Sequence, residues 1–244
     1  MTLTAASVLK PGNTAVITGA SSGIGRATAL EFASQKSVNV WMIDIDKEEL
    51  ELAHKLVVEA SKGNDVKVEA RVVDVSDEDA VKKLADEVFA NGGKCHFLFY
   101  NAGVGMGGGP MTEMKTLTKT MSINTYGPIH GCQAFVPKMQ ASGEEGIIVN
   151  TGSKQGITMP PGNLVYNISK AALKCYTEGL EHDLRTNGDG KLRAALLIPG
   201  WVNTSIFLKT KREEQLAKGE EFDVSTVFFH EEKPAGGAWM PKQV

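Results

Sequence analysis

At 244 residues, with 42 % hydrophobic and 23 % charged side chains, the chain has the make-up of a soluble globular protein that can bury a substantial core. A net charge of -3 without any Lys/Arg run excludes a nucleic-acid surface, and no apolar run nears the ~18 residues that span a bilayer. Three widely spaced cysteines exclude a disulfide framework, five histidines without HxxH or HExxH spacing exclude a zinc motif, and the N-terminus lacks the pattern of a secretory signal. The expectation is a reduced, cytoplasmic, metal-free protein with no nucleic-acid or membrane partner.

Thr14–Thr18 (TAVIT) is apolar and β-branched, which predicts a buried parallel strand. It runs into Gly19, Ser21, Ser22, Gly23, Ile24 and Gly25 of the turn GASSGIG, and then into an amphipathic helix over residues 26–35. Strand, glycine turn and helix form a cradle for a dinucleotide, because glycines let the backbone approach a pyrophosphate and the helix start offers N–H groups to its charge. A glycine turn without a ligand is the competing reading, and the spacing G-x-x-x-G-x-G departs from the commonest fingerprint. Residues 38–44 predict a second strand ending in Asp44, about 20 residues beyond the glycine turn, where a carboxylate meets the adenosine ribose. That carboxylate favours NAD over NADP because it repels a 2′-phosphate. Alternatively, Asp44 or Asp46 caps the helix Lys47–Ala60.

A third strand over residues 66–73 closes on Asp74 and Val75, and a helix over 77–91 follows, with Ser76 or Asp77 as its cap. Residues 96–100 form a fourth strand that enters Asn101, Ala102 and Gly103 and then a glycine-rich loop, VGMGGGP, read as a mobile rim. Helices over 114–124 and Gly127–Ser142 flank a bend at Asn124-Thr-Tyr-Gly127. A fifth strand over 146–150 leads to Ser153, and a sixth over 192–198 leads to Pro199, Gly200, Val202 and Thr204. Six short strands alternating with helices predict a doubly wound parallel sheet, α/β in class. Gly19, Asp44, Asn101, Ser153 and Pro199 all follow strand ends, the edge where such sheets bind ligands.

Between strands five and six stand Tyr166 and Lys170, four residues apart at the start of a helix, so they share one face. An ammonium beside a phenol favours the phenolate, and acting at neutral pH asks for a drop of roughly 3 units from ~10. Spacing alone equally describes a surface helix. Ser153 could cap a turn, Asn124 could end its helix, Thr204 could be an N-cap, and Trp201 could be a packed lid.

With these residues assembled, residues 12–204 resemble the short-chain dehydrogenase/reductase family. TGASSGIG at 18–25 looks like its cofactor turn, Asp74-Val75 its adenine-contacting pair, and Asn101-Ala102-Gly103 its NAG. Asn124, Ser153, Tyr166 and Lys170 match its catalytic Asn and Ser…Tyr-x-x-x-Lys, and Pro199-Gly200, Val202 and Thr204 its nicotinamide segment. The resemblance implies a Rossmann fold and a hydride transfer between NAD, less readily NADP, and a small or medium apolar alcohol or ketone. Tyr166 would be the acid/base. Lys170 would lower its pKa and hold the nicotinamide ribose, Ser153 would bind the substrate oxygen, and Asn124 would place a relay water. It also implies a homo-oligomer, a dimer through the helices near 127–142 and 163–187 being favoured over a tetramer.

One domain over residues 1–244 is expected, with 205–233 as its substrate-covering segment. Within it a helix over 205–219 would roof the pocket with Phe207 and Leu208, while 224–230 is apolar and open in conformation. The pattern departs from the family after that, so the last edge strand is expected to be absent and the sixth strand to be an open edge. Two other functions compete: a catalytically silent dinucleotide-binding scaffold, and an epimerase or dehydratase using NAD transiently.

Overall fold

The computed structural model of the chain describes residues 5–105, 107–204, 206, 219 and 239–244. The expected roof of the pocket at 205 and 207–218, with Phe207 and Leu208, lies outside the described residues, as do Met106 and the apolar stretch 224–230.

Six parallel strands form one sheet in the order β3-β2-β1-β4-β5-β6. These are β1 Thr14–Thr18, β2 Asn39–Asp44, β3 Val68–Val72, β4 Phe97–Tyr100, β5 Gly146–Thr151 and β6 Leu192–Leu197. The predicted doubly wound class is therefore the observed one. After a short helix α1 (Ala5–Val8) the connections are α2 Gly23–Gln35, α3 Lys47–Ala60, α4 Glu78–Phe89, α5 Met114–Met121, α6 Gly127–Ser142, α7 Gln155–Thr158 and α8 Leu164–Asn187. The sheet reverses its winding between β1 and β4, the switch point at which such sheets open a crevice.

Two apolar layers hold the sheet. One gathers Val16, Leu98, Phe135, Met139 and Ile148 between the sheet and the α4–α6–α8 side. The other gathers Ile17, Phe32, Met42, Leu50 and Val57 under α2 and α3. The strand that carries Ala15, Val16 and Ile17 is wholly buried there, which is why it reads as a continuous apolar run rather than an alternating one.

Two expectations are corrected here. Residues 122–126 are not a break between two helices. They form a π-helical turn, Ser122–Tyr126, that carries α5 into α6, with the Gly127 N–H donating to Ser122 O. The glycine loop is also tied down at Gly108. Gly108 bridges to Asn163, and the Leu164 N–H donates to Gly108 O at 2.7 Å, so the start of α8 holds the loop. Its glycines allow the close approach, and the neighbouring backbone fixes the shape. The Asp44/Asp46 alternative is resolved as well: Asp46 caps α3 by accepting from the Glu49 N–H, while Asp77 caps α4 by accepting from Ala80. Asp44 is thereby left for another role. Among the described residues no helix is long and apolar enough to cross a membrane, and no cluster of three His, Cys, Asp or Glu could hold a metal.

Candidate active site

A cleft of about 530 Å³ opens at the carboxyl ends of the strands. Gly19, Ser22, Gly23 and Ile24 line it from the first turn, Asp44 and Ile45 from the end of β2, and Asp74 and Val75 from the end of β3. Asn101, Ala102 and Gly103 line it after β4, Ser153 after β5, and Tyr166 and Lys170 from α8. Pro199, Gly200, Val202 and Thr204 close it after β6. Three of the residues predicted from sequence stand behind this wall rather than in it: Ser21, Gly25 and Asn124.

Each of the three has a structural reason to be there. The Ser21 N–H donates to Asp44 Oδ2 at 3.1 Å, and the Asp46 N–H donates to Asp44 Oδ1 at 3.1 Å, so the carboxylate is held by backbone from both sides. A Cβ on Gly25 would stand 2.3 Å from Gly19 O, so only glycine lets α2 start this close to the turn. Gly19 itself has φ +66, and a Cβ there would meet the Ala102 backbone at 2.9 Å. Substituting Gly25→Ala is expected to cost about 1–3 kcal/mol of stability through overpacking, read by denaturant unfolding. Gly200→Ala, where nothing lies within 4 Å, should change it little.

Thr18 opens the TGASSGIG motif, and sequence assigned it no role of its own, yet it organises this turn. Its buried hydroxyl accepts from the N–H groups of Asn101 (3.0 Å) and Ala102 (3.1 Å), pinning the loop after β4 to the end of β1. Asn101 then reaches both ways, donating from Nδ2 to Gly19 O at 3.3 Å and accepting from the Thr151 hydroxyl at 3.4 Å. No periodicity marks such a threonine; only its place at a strand end could have done so.

At the opposite end of the cleft stand Ser153, Tyr166 and Lys170. Ser153 Oγ accepts from the Gln155 N–H at 3.1 Å, which fixes the hydroxyl at the start of α7, where it acts on the Tyr166 phenol. Tyr166 is 7 % exposed and Lys170 2 %. Burial raises the Tyr166 phenol above the ordinary tyrosine value, and the Ser153 hydroxyl pulls it partly back. The depression expected from Lys170 is thus not the direction found in the cofactor-free protein. The Lys170 ammonium donates to Thr151 O at 2.7 Å and lies 5.6 Å from the centre of the Tyr166 ring, so its charge is committed to the end of β5.

Burial lowers Lys170 itself to about 8. Because its folded pKa is below its unfolded one, the folded state sheds the proton first, and the cost of the buried charge is fully present below about pH 8. That cost shrinks as pH rises from about 8 towards ~10.4, the ordinary lysine value. The stability difference between Lys170→Met and the wild type should therefore shift by up to ~3 kcal/mol in favour of the wild type across this window, measured by urea unfolding at several pH values.

Asn124 is fully buried, and its amide is spent inside the protein. Oδ1 accepts from the Val104 N–H at 2.8 Å, and Nδ2 donates to Val104 O at 3.0 Å and to Ser169 Oγ at 3.1 Å. It clamps the first residues of the glycine loop. Trp201 is 68 % exposed at the cleft's edge, not packed in the core. Lys119 from α5 lines the cleft beside Lys154, a second cation that sequence had not placed there.

The family model for short chain dehydrogenases matches residues 13–215. The chain belongs to the short-chain dehydrogenase family.

Its similarity to individual members agrees. SadH of Mycobacterium tuberculosis, which carries an oxidoreductase name, is 32 % identical over 219 residues, 89 % of this chain and 75 % of that protein. A short-chain dehydrogenase/reductase from Burkholderia phymatum, solved in complex with NAD, is 37 % identical with a TM-score of 0.76 over 87 % of this chain and 74 % of that one. A metagenomic short-chain oxidoreductase solved with NADP is 32 % identical with a TM-score of 0.70, covering 79 % of this chain and 84 % of that one. The fold is thus that of short-chain oxidoreductases that bind nicotinamide dinucleotides, with both NAD and NADP represented among its structural relatives.

Proposed function

We propose that this short-chain dehydrogenase moves a hydride between NAD and a small or medium alcohol or ketone, with Tyr166 as the acid/base. The observation that carries the reading is the pairing of the Tyr166 phenol with the Ser153 hydroxyl in the same cleft that the glycine turn and Asp44 line. A scaffold that only binds a dinucleotide has no use for such a pair. The residues fit a dinucleotide: Gly19, Ser22 and Gly23 line the cleft at the start of α2, where a helix N-terminus suits a pyrophosphate, and Asp44 lines it at the end of β2 as a carboxylate for a ribose. When bound, the nicotinamide supplies the hydride donor or acceptor.

The chain's own residues then divide the work. Ser153 and Tyr166 offer two hydroxyls to one substrate oxygen, orienting it and stabilising the charge it develops. Tyr166 gives that oxygen a proton on reduction and takes it on oxidation. Lys170 holds the end of β5 through Thr151 and presents the positive charge that a phenolate needs nearby. Asn124 fixes Gly103 and Val104 beside this group, a Cβ on Gly103 standing 3.6 Å from Lys170 Nζ. The cleft's lining also includes the apolar Val104, Ile123, Pro160, Trp201 and Ile206, which supports an apolar substrate, together with Lys119 and Lys154.

NAD is favoured over NADP because Asp44 presents a carboxylate to the cleft and is followed by the apolar Ile45, 64 % exposed. A 2′-phosphate beside Asp44 would meet its carboxylate. We also infer a single domain, with 205–233 over the substrate, and a homodimer through α6 and α8. Titrating the protein with NADH and NADPH by intrinsic Trp fluorescence tests the cofactor reading. NADH binding at least tenfold tighter supports it, and equal or reversed affinities refute it.

A further inference from the structure

Between Tyr166 and Lys170 on α8 lies Ser169, a wholly buried hydroxyl that the acid/base chemistry above does not use. It accepts from Asn124 Nδ2 at 3.1 Å and donates to Tyr166 O at 2.8 Å. Its own carbonyl accepts from the Thr125 hydroxyl at 3.0 Å. Both Asn124 and Thr125 belong to the π-helical turn, so two consecutive residues of that turn grip one residue of α8.

The donor count fixes the arrangement. The Asn124 amide has two N–H groups, spent on Val104 O and Ser169 Oγ, which leaves Oδ1 to accept from the Val104 N–H. Since Asn124 donates to the Ser169 oxygen, the one proton of Ser169 is free to go to Tyr166 O. A flipped amide would set two acceptors against each other at Val104 and leave a buried donor without a partner. Val104 thus sets the amide orientation, and Ser169 takes up the second N–H of the amide in that orientation.

We propose that Ser169 is a positioning residue: it anchors the Asn124 amide to α8, and through it sets Gly103 and Val104 against the Tyr166–Lys170 turn. The π-helical turn is the device that allows this, because its wider winding places Asn124 and Thr125 side by side on the same partner. A contribution to turnover rests on the proposed function; the anchoring of the loop does not.

The molecule supplies a matched control. Thr177, eight residues further along α8, is equally buried, accepts from Asn150 Nδ2 at 2.9 Å, and donates to Leu173 O at 2.7 Å. It repeats the chemistry of Ser169 without touching the loop. The test compares Ser169→Ala, Ser169→Thr and Thr177→Val by amide hydrogen exchange of the cofactor-free protein, with global stability measured for each. Ser169→Ala should speed exchange of the Val104 N–H and the 103–110 loop at least tenfold beyond Thr177→Val at matched global stability. Ser169→Thr, which keeps the hydroxyl, should restore protection. Loop protection that is unchanged in Ser169→Ala, or lost equally in Thr177→Val, overturns the proposal.

With a turned-over alcohol in hand, kcat for Ser169→Ala should fall at least tenfold with the cofactor KM changed by less than threefold, and its pH profile should move while that of Thr177→Val does not. If no alcohol or ketone is turned over, the proposed function fails and the exchange experiment still decides the role of Ser169. A moved exchange pattern with an unmoved kcat and pH profile would overturn the catalytic half of the inference.

Discussion

Replacing Tyr166 by Phe is expected to lower kcat about 10²–10⁴-fold, the span that a positioned acid/base contributes, while leaving NADH affinity within a few-fold of the wild type. The ring is buried and the phenol's described partner is the Ser153 hydroxyl, so loss of one oxygen removes the proton donor with little change in packing. The pH dependence has a definite sign. Burial holds the phenol above the ordinary tyrosine value, so in the cofactor-free protein it is protonated at neutral pH. Ketone reduction, which needs the acid, should be flat through neutral pH and fall at alkaline pH. Alcohol oxidation, which needs the base, should rise as pH rises. Steady-state kinetics in both directions checks this, and a Tyr166→Phe variant with near-wild-type kcat would remove Tyr166 from the chemistry.

Asp44 should control which dinucleotide binds. Two backbone N–H groups hold its carboxylate in place, and Asp46 rather than Asp44 caps the next helix. Asp44→Asn keeps an acceptor for the backbone and removes the charge. Hydrogen bonds to a charged group contribute about 1.5–3 kcal/mol, so NADH binding should weaken roughly 10- to 100-fold while NADPH binding improves. Adding Ile45→Arg, which brings a cation to the exposed position beside it, should reverse the preference. Fluorescence titration of the two cofactors against each variant measures the effect. If Asp44→Asn leaves the NADH/NADPH ratio unchanged, the carboxylate does not read the ribose.

The sheet was legible because its central strands are buried on both faces and so appear as unbroken apolar runs, each bounded by a turn residue. β1 and α3 fall on their predicted bounds, Thr14–Thr18 and Lys47–Ala60, because a glycine turn follows one and an Asp cap starts the other. The site was legible where a residue type is forced by chemistry, as at Gly19, Asp44, Ser153, Tyr166 and Lys170, which all line one cleft.

What stayed hidden depends on geometry that no local pattern encodes. A π-helical turn at Ser122–Tyr126 has the same apolar spacing as a helix with a bend, and only the Gly127 to Ser122 hydrogen bond distinguishes them. Thr18 and Ser169 are small hydroxyl residues inside recognisable motifs, and their partners are distant in sequence. The direction of the Tyr166 shift was hidden for a further reason: spacing brings Lys170 near, but burial of the phenol, which no local pattern encodes, sets the direction.

The most direct test of hydride transfer is incubation of the protein with NADH carrying deuterium at the transferable position and a panel of apolar ketones, followed by mass spectrometry of the alcohols. The account predicts one deuterium on the carbinol carbon of at least one product, and none with the Tyr166→Phe variant. NADH that binds tightly but delivers no deuterium to any alcohol would contradict it and leave a dinucleotide-binding protein without turnover.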